Sequence, residues 1–166
     1  MSYVYKVMDS PIGELKLVAN GSKLSAILWE DDKPNRVRLG VMHEAENSPI
    51  LVETERQLNE YFAGKRNRFE LELNFVGTEF QRKVWEALLT IPYGETRSYG
   101  EIATQIGNAK AVRAVGAANG RNPISIIAPC HRVIGASGDL TGFAGRLRAK
   151  KMLLTLEIGN TSHAAV

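Results

Sequence analysis

The feature that most limits what this chain can fold into is a change of pattern between residues 74 and 77. Before it, short apolar alternations are broken by turn residues; after it, helices open with reciprocal caps. Residues 3–8, 14–19 and 24–29 read as strands, divided by Ser10-Pro11-Ile12-Gly13 and Asn20-Gly21-Ser22-Lys23. Leu15, Leu17 and Ala19 alternate with Glu14, Lys16 and Val18, which predicts an antiparallel meander with one face buried. Residues 30–47 are polar and aperiodic and predict a loop. Ser48-Pro49 then opens a helix, with Ser at the N-cap and Pro at the first helical position. Leu51, Thr54, Leu58, Tyr61 and Phe62 form its apolar stripe, and Gly64 stops it. The alternation Phe69-Glu70-Leu71-Glu72-Leu73 predicts one more strand.

Beyond the change, Thr78 with Gln81 and Ser98 with Glu101 each spell a capping box. The first opens a helix with Phe80, Val84, Leu88 and Ile91 on one side, ended by Pro92-Tyr93-Gly94. The second opens a short helix through Ile106 that stops at Gly107, and Asn108 is placed to cap a third. Two short helices joined by a tight glycine turn fit a helix-turn-helix, although other helical hairpins share that spacing. Val112 and Val115 give the third helix a core side. Opposite them lie Ala109, Gly116, Ala117 and Gly120, with Arg113 alone among small residues. A glycine inside a helix costs about 1 kcal/mol relative to alanine. Something therefore needs close approach to that face, either a DNA backbone or a packed neighbouring element. A last helix is predicted over residues 147–156, ending near Glu157 and Gly159, with a disordered tail. The pattern predicts an α+β fold: a scaffold domain over residues 1–75 with a small antiparallel sheet and a helix, and a helical domain over 76–166.

Charge separates the same two parts. Residues 1–75 hold ten Lys/Arg against twelve Asp/Glu, and residues 76–166 hold eleven against six. From Lys110 to Lys151 eight bases face a single acid, Asp139. A single-sign field of that kind favours a polyanion such as nucleic acid. One cysteine excludes an internal disulfide and suits a reducing cytoplasm. No CxxC pair or histidine cluster is present, so no metal site is predicted. With no signal-peptide layout and no membrane-length apolar run, a cytoplasmic protein without a membrane partner is predicted.

The one cysteine, Cys130, stands beside one of three histidines, in Ile127-Ala128-Pro129-Cys130-His131-Arg132-Val133-Ile134. A cysteine in an apolar run is ordinarily inert packing. A neighbouring histidine and a positive field are what a reactive thiolate needs. In a strand His131 would reach the thiol through a water, and a carboxylate would have to orient the ring. Glu157 is the only acid after Asp139 and is the candidate. Packing and reagent both remain open on the residues alone. No cysteine-protease signature is present.

Pro129-Cys130-His131-Arg132-Val133 resembles the active-site motif of the O6-alkylguanine-DNA alkyltransferases, or methylated-DNA–protein-cysteine methyltransferases. The resemblance extends through Tyr93-Gly94-Glu95-Thr96, Ser98-Tyr99, the stretch from Ala111 to Gly116, Gly120-Arg121-Asn122-Pro123, and Gly142 through Glu157. It covers the C-terminal half at one register; the N-terminal half matches in layout only. It implies a ribonuclease-H-like N-terminal layout and a winged-helix-like C-terminal domain. Cys130 would be the alkyl acceptor, activated through water by His131 and Glu157, with Asn122 bracing the hinge before it. Tyr99 would contact the flipped base and its 3′ phosphate, and Arg113 would fill the gap left in the duplex. Val133, Phe143, Ala144, Gly145 and Lys150 would build the pocket. The partner would be double-stranded DNA carrying O6-alkylguanine, and O4-methylthymine is a second candidate lesion. A thioether is not readily hydrolysed, and no group to regenerate the thiol is evident, so one turnover per molecule is expected. No cofactor, metal or obligate protein partner is implied, and a monomer is expected. Phe143 stands where many relatives carry tyrosine, which removes a hydroxyl from the pocket. A non-transferring lesion binder would lack Cys130. A helix-turn-helix regulator would leave Cys130, His131 and Glu157 unexplained, and a thiol hydrolase would have little use for the basic field.

Overall fold

The computed structural model describes residues 2–136, 138 and 146–164, with side chains of the last helix as far as Thr161. The chain divides into two compact units: Met1–Val76 with Pro123–Ser125, and Gly77–Asn122 with Ile126–Val166.

In the first unit, β1 (Tyr3–Met8), β2 (Leu15–Asn20), β3 (Lys23–Trp29) and β4 (Met42–Glu44) form one sheet in the order β3-β2-β1-β4. β1–β2 and β2–β3 pair antiparallel; β4 joins β1 in parallel. Helix α1 (Pro49–Phe62) buries Leu51, Leu58 and Tyr61 within this unit. Ser48 occupies its N-cap and Pro its first turn, but the Ser48 side chain makes no capping hydrogen bond. Its C-terminus closes as a Schellman motif: Gly64, at φ 75°, donates to Tyr61 and Lys65 donates to Glu60.

Three expectations for this half fail for nonlocal reasons. The sheet is covered on more than one face, because Tyr3, Val18 and Ala26 form a second cluster with Val37, Leu39 and Met42. Those last three come from the stretch predicted as loop, which also contributes β4. Residues 69–73 form no strand. Gln57 on α1 accepts from the Glu70 N–H at 2.9 Å and donates to its carbonyl at 3.2 Å, taking the place of a neighbouring strand. Only an isolated parallel bridge, Leu24 to Leu73, remains. Together with a second bridge, Ile27 to Ile124, it lies along the outer edge of β3, which would otherwise expose unpaired backbone groups.

The second unit holds α2 (Glu79–Leu88), β5 (Arg97–Ser98), α3 (Tyr99–Gln105), α4 (Val112–Gly120), β6 (Val133–Ile134) and α5 (Leu147–Ala164). Both predicted capping boxes form, at Thr78/Gln81 and Ser98/Glu101. Val84 and Leu88 of α2 are buried, each contributing about 1.5–3 kcal/mol by the usual side-chain transfer values. Trp85 is buried beside them and donates its indole N–H to the Ala118 carbonyl of α4 at 2.8 Å. β5 and β6 pair in parallel, a short addition that the sequence did not announce.

The helix-turn-helix is α3 and α4, but α4 starts later than predicted. Asn108 ends α3 instead of capping α4: its N–H reaches the Ala103 carbonyl while Gly107, at φ 84°, donates to Thr104. Ala111 occupies the α4 N-cap position without a side-chain bond. Ala109 therefore lies in the turn. Val112 is 40% exposed, and the core side of α4 is Val115, Ala118 and Asn119. Helix α5 runs past its predicted end. Thr161 Oγ1 donates to the Glu157 carbonyl at 2.8 Å, and Asn160 donates to the Tyr93 hydroxyl at 3.0 Å. Gly94, at φ 81°, allows this packing, since a side chain there would collide with Thr161.

Candidate active site

The site belongs wholly to the second unit and begins where α4 ends. Asn122 is buried and donates from Nδ2 to the Ala128 carbonyl at 2.8 Å; Asn119, one turn earlier, donates to the Cys130 carbonyl at 3.4 Å. Two asparagines three residues apart thus hold two carbonyls two residues apart. Between them, Ile126 has φ 76°, a conformation that costs a β-branched residue about 1–3 kcal/mol. The chain then folds tightly around Pro129, at φ −80° and ψ 67°, with the Cys130 N–H donating to the Ala128 carbonyl at 2.7 Å. That is an inverse γ-turn, and the proline ring presets its φ. Cys130–Arg132 is one turn of 3-10 helix, not the strand assumed for its side-chain directions.

Cys130 is 3% exposed, and His131, Glu157 and Lys150 are fully buried. His131 Nε2 lies 2.6 Å from Glu157 Oε2. Because an ionised carboxylate only accepts, Nε2 carries the proton, and Nδ1 is left as the nitrogen that can take one. Nδ1 is itself buried. Arg132, absent from the predicted site, donates from Nε to Glu157 Oε1 at 2.7 Å and from Nη2 to Oε2 at 3.1 Å. Burial alone would raise the Glu157 carboxyl. The hydrogen bonds and charges of His131 and Arg132 overcome that and hold it well below the ordinary carboxylate range. Burial pushes His131 down, against the pull of Glu157 and with the help of Arg132 and Lys150. Burial also pushes the Lys150 ammonium down to about 8, opposed by the charge of Cys130. Its Nζ donates to the Val133 carbonyl at 2.5 Å, which ties α5 to β6.

These shifts set an acid limit on stability. The unfolded chain protonates its histidine near 6.5 and its glutamate near 4.5, while both folded values are lower. Between folded and unfolded values the unfolded state binds more protons, so the contribution of these two groups is complete above about 6.5 and is lost as pH falls. Tm should therefore decline from pH 6.5 downward and more steeply below 4.5. His131→Gln should remove the upper part of that decline; an unchanged Tm–pH curve would contradict the buried neutral imidazole.

The structure brings together Cys130, His131, Glu157, Lys150, Val133 and Asn122. Tyr99 and Arg113 belong instead to the helix-turn-helix. Arg113, Ala117 and Ala109 are exposed, and Tyr99 lies against α4, its ring 3.9 Å from where a Gly116 Cβ would stand. Nothing stands within 4 Å of a Cβ added at Gly120. Among the described residues, none comes closer than ordinary van der Waals contact to a side chain added at either glycine. Phe143, Ala144 and Gly145 lie outside the described residues. Among the described residues no cluster of three or more His, Cys, Asp or Glu could hold a metal, and no helix is long and apolar enough to cross a membrane.

Two family models match the chain. Residues 3–75 match the ribonuclease-like domain of 6-O-methylguanine DNA methyltransferase, and residues 79–159 match its DNA binding domain. The chain belongs to the 6-O-methylguanine DNA methyltransferase family. The methylated-DNA–protein-cysteine methyltransferase of Mycobacterium tuberculosis is 54% identical over 155 residues, covering 92% of this chain and 91% of that one. The Methanosarcina acetivorans protein of that name is 51% identical over 154 residues, covering 92% and 97%. Among solved structures, the M. tuberculosis O6-methylguanine methyltransferase superposes with a TM-score of 0.84 at 51% identity, covering 95% of this chain and 94% of that one. The M. tuberculosis OGT in complex with DNA gives 0.85 at 50% identity, covering 96% and 94%. The α+β class read from the sequence is the fold of these methyltransferases.

Proposed function

We propose that this methyltransferase repairs DNA by moving the alkyl group of O6-alkylguanine, and of O4-methylthymine where it occurs, irreversibly onto Cys130. The observation that carries the reading is the buried cluster of Cys130, His131 and Glu157. It gives a lone thiol a base and an orienting carboxylate inside a DNA-binding unit. His131 Nδ1 takes the thiol proton through a bridging water, while Glu157 fixes the ring and stabilises the imidazolium that forms. The sulfur attacks the alkyl carbon in line, a C–S bond forms, and the bond to O6 breaks with its electron pair leaving on guanine. Tyr99 helps neutralise the departing base. The Lys150 ammonium, held near the sulfur, favours the thiolate and fixes the pocket with Val133, Phe143, Ala144 and Gly145. Asn122 holds the segment that carries the nucleophile.

A base stacked in a duplex cannot present its O6 substituent to a buried sulfur, so the nucleotide must leave the stack. Helix α4 supplies the means. Ala117, Gly116 and Gly120 keep the surface low enough for DNA to approach, Ala109 extends it into the preceding turn, and Arg113 projects to fill the vacated space. A Cβ at Gly116 would meet only the Tyr99 ring, at 3.9 Å, and one at Gly120 would meet no described residue within 4 Å, which favours this account over close packing within the protein. Residues 1–75 serve as scaffold and 76–166 as the DNA-binding and acceptor domain, in a cytoplasmic monomer without cofactor or obligate protein partner.

The test is stoichiometry. Titrated with duplex containing O6-methylguanine, each protein molecule should repair one lesion and then stop. Continued repair at excess substrate would contradict irreversible capture.

A further inference from the structure

We propose that Arg132 is a positioning residue for the transfer: its guanidinium takes up the charge of Glu157 and so keeps His131 a neutral imidazole able to accept the Cys130 proton. The geometry is a shared carboxylate. Glu157 Oε1 accepts from Arg132 Nε at 2.7 Å, and Oε2 accepts from both Arg132 Nη2 at 3.1 Å and His131 Nε2 at 2.6 Å. Arg132 is only 7% exposed and is held from two further sides. Its Nη1 donates to the Ile91 carbonyl at 2.6 Å, and its guanidinium lies 5.6 Å from the centre of the Tyr93 ring.

The charge balance follows from these contacts. Arginine does not give up its proton in a protein, so the Glu157–Arg132 pair is permanently ionised and neutral as a whole. The groups facing His131 are Cys130 and Arg132 on its own turn and Lys150 and Glu157 on α5, with Tyr93 beside the Arg132–Glu157 pair. Among them Glu157 draws a proton onto the imidazole, as Cys130 does once it is a thiolate, and Arg132 and Lys150 oppose it. Without Arg132, a fully buried carboxylate would draw a proton onto His131 to form an ion pair, because an uncompensated buried charge is costly. The base would then be occupied before the thiol arrived. With Arg132, Nδ1 is free of a proton when the thiol needs it: the S–H bond breaks, the proton passes to Nδ1 and the electron pair stays on sulfur. Burial and the nearby cations also press His131 toward the neutral form.

The inference rests on the reading of Cys130 as acceptor, but its first test does not use the transfer reaction. The chain has three histidines, His43, His131 and His163. Nitrogen NMR of histidine-labelled protein should show His131 as the neutral Nε2–H tautomer at neutral pH. A charged His131 in the native protein would overturn the proposal. Arg132→Gln should raise the His131 titration, and each unit lowers the neutral fraction about tenfold on the acid side. The pH profile of methyl transfer should move to higher pH by the same amount. Arg132→Lys, which keeps the charge without the fork, should restore much of both, and it is the variant to use if the glutamine protein does not fold. An unmoved His131 titration in a folded Arg132→Gln protein, or no recovery with lysine, would sink the role.

Discussion

Replacing Glu157 with glutamine should slow methyl transfer by about two to four orders of magnitude, the usual worth of a positioned general base. The amide keeps the shape of the carboxylate but not its charge. It can still accept from one partner, yet it cannot stabilise the imidazolium that His131 becomes when it takes the thiol proton. The same exchange leaves Arg132 as a buried, uncompensated cation, and breaking such a pair costs about 3–5 kcal/mol of stability. Single-turnover rates on O6-methylguanine duplex should therefore be read where circular dichroism shows the variant folded. A folded Glu157→Gln protein that transfers at the native rate would remove the carboxylate from the mechanism.

Arg113→Ala should separate two substrates. Arg113 is exposed near the start of α4 and takes no part in the Cys130 cluster. With O6-benzylguanine as a free base there is no stack to hold open, so the rate should not change. On duplex DNA the loss of one inserted cation should cost about 1–3 kcal/mol and lower the salt slope of binding by about one. Equal losses on both substrates would place Arg113 in chemistry or folding rather than in holding the flipped state.

The parts of this molecule that were legible in its sequence are those whose partners are close in the chain. Thr78/Gln81 and Ser98/Glu101 satisfy their caps within three residues, so the starts of α2 and α3 could be read directly. Cys130, His131 and Asn122 lie within one short stretch. Failures occurred where a distant side chain decided the outcome. Residues 69–73 alternate as a strand should, yet Gln57 takes the backbone bonds of Glu70. The sequence predicts a last helix over residues 147–156 that ends near Glu157 and Gly159, but it runs on to Ala164. Glu157 is buried against Arg132, and the turn beyond it is pinned to Tyr93 and Gly94. Arg132 carries no signal of its role in the sequence because an arginine is ordinarily exposed, and only the fold brings it to a carboxylate 25 residues away. Asn108 could cap forward or backward, and the Schellman geometry at Gly107 decided for backward.

The most direct measurement of the central claim is intact-protein mass spectrometry after incubation with a duplex holding one O6-methylguanine, followed by peptide mapping. The protein should gain one methyl group, located on Cys130, while Cys130→Ser should gain none. An unchanged native mass, or a methyl group acquired by the serine variant, would contradict transfer to this sulfur.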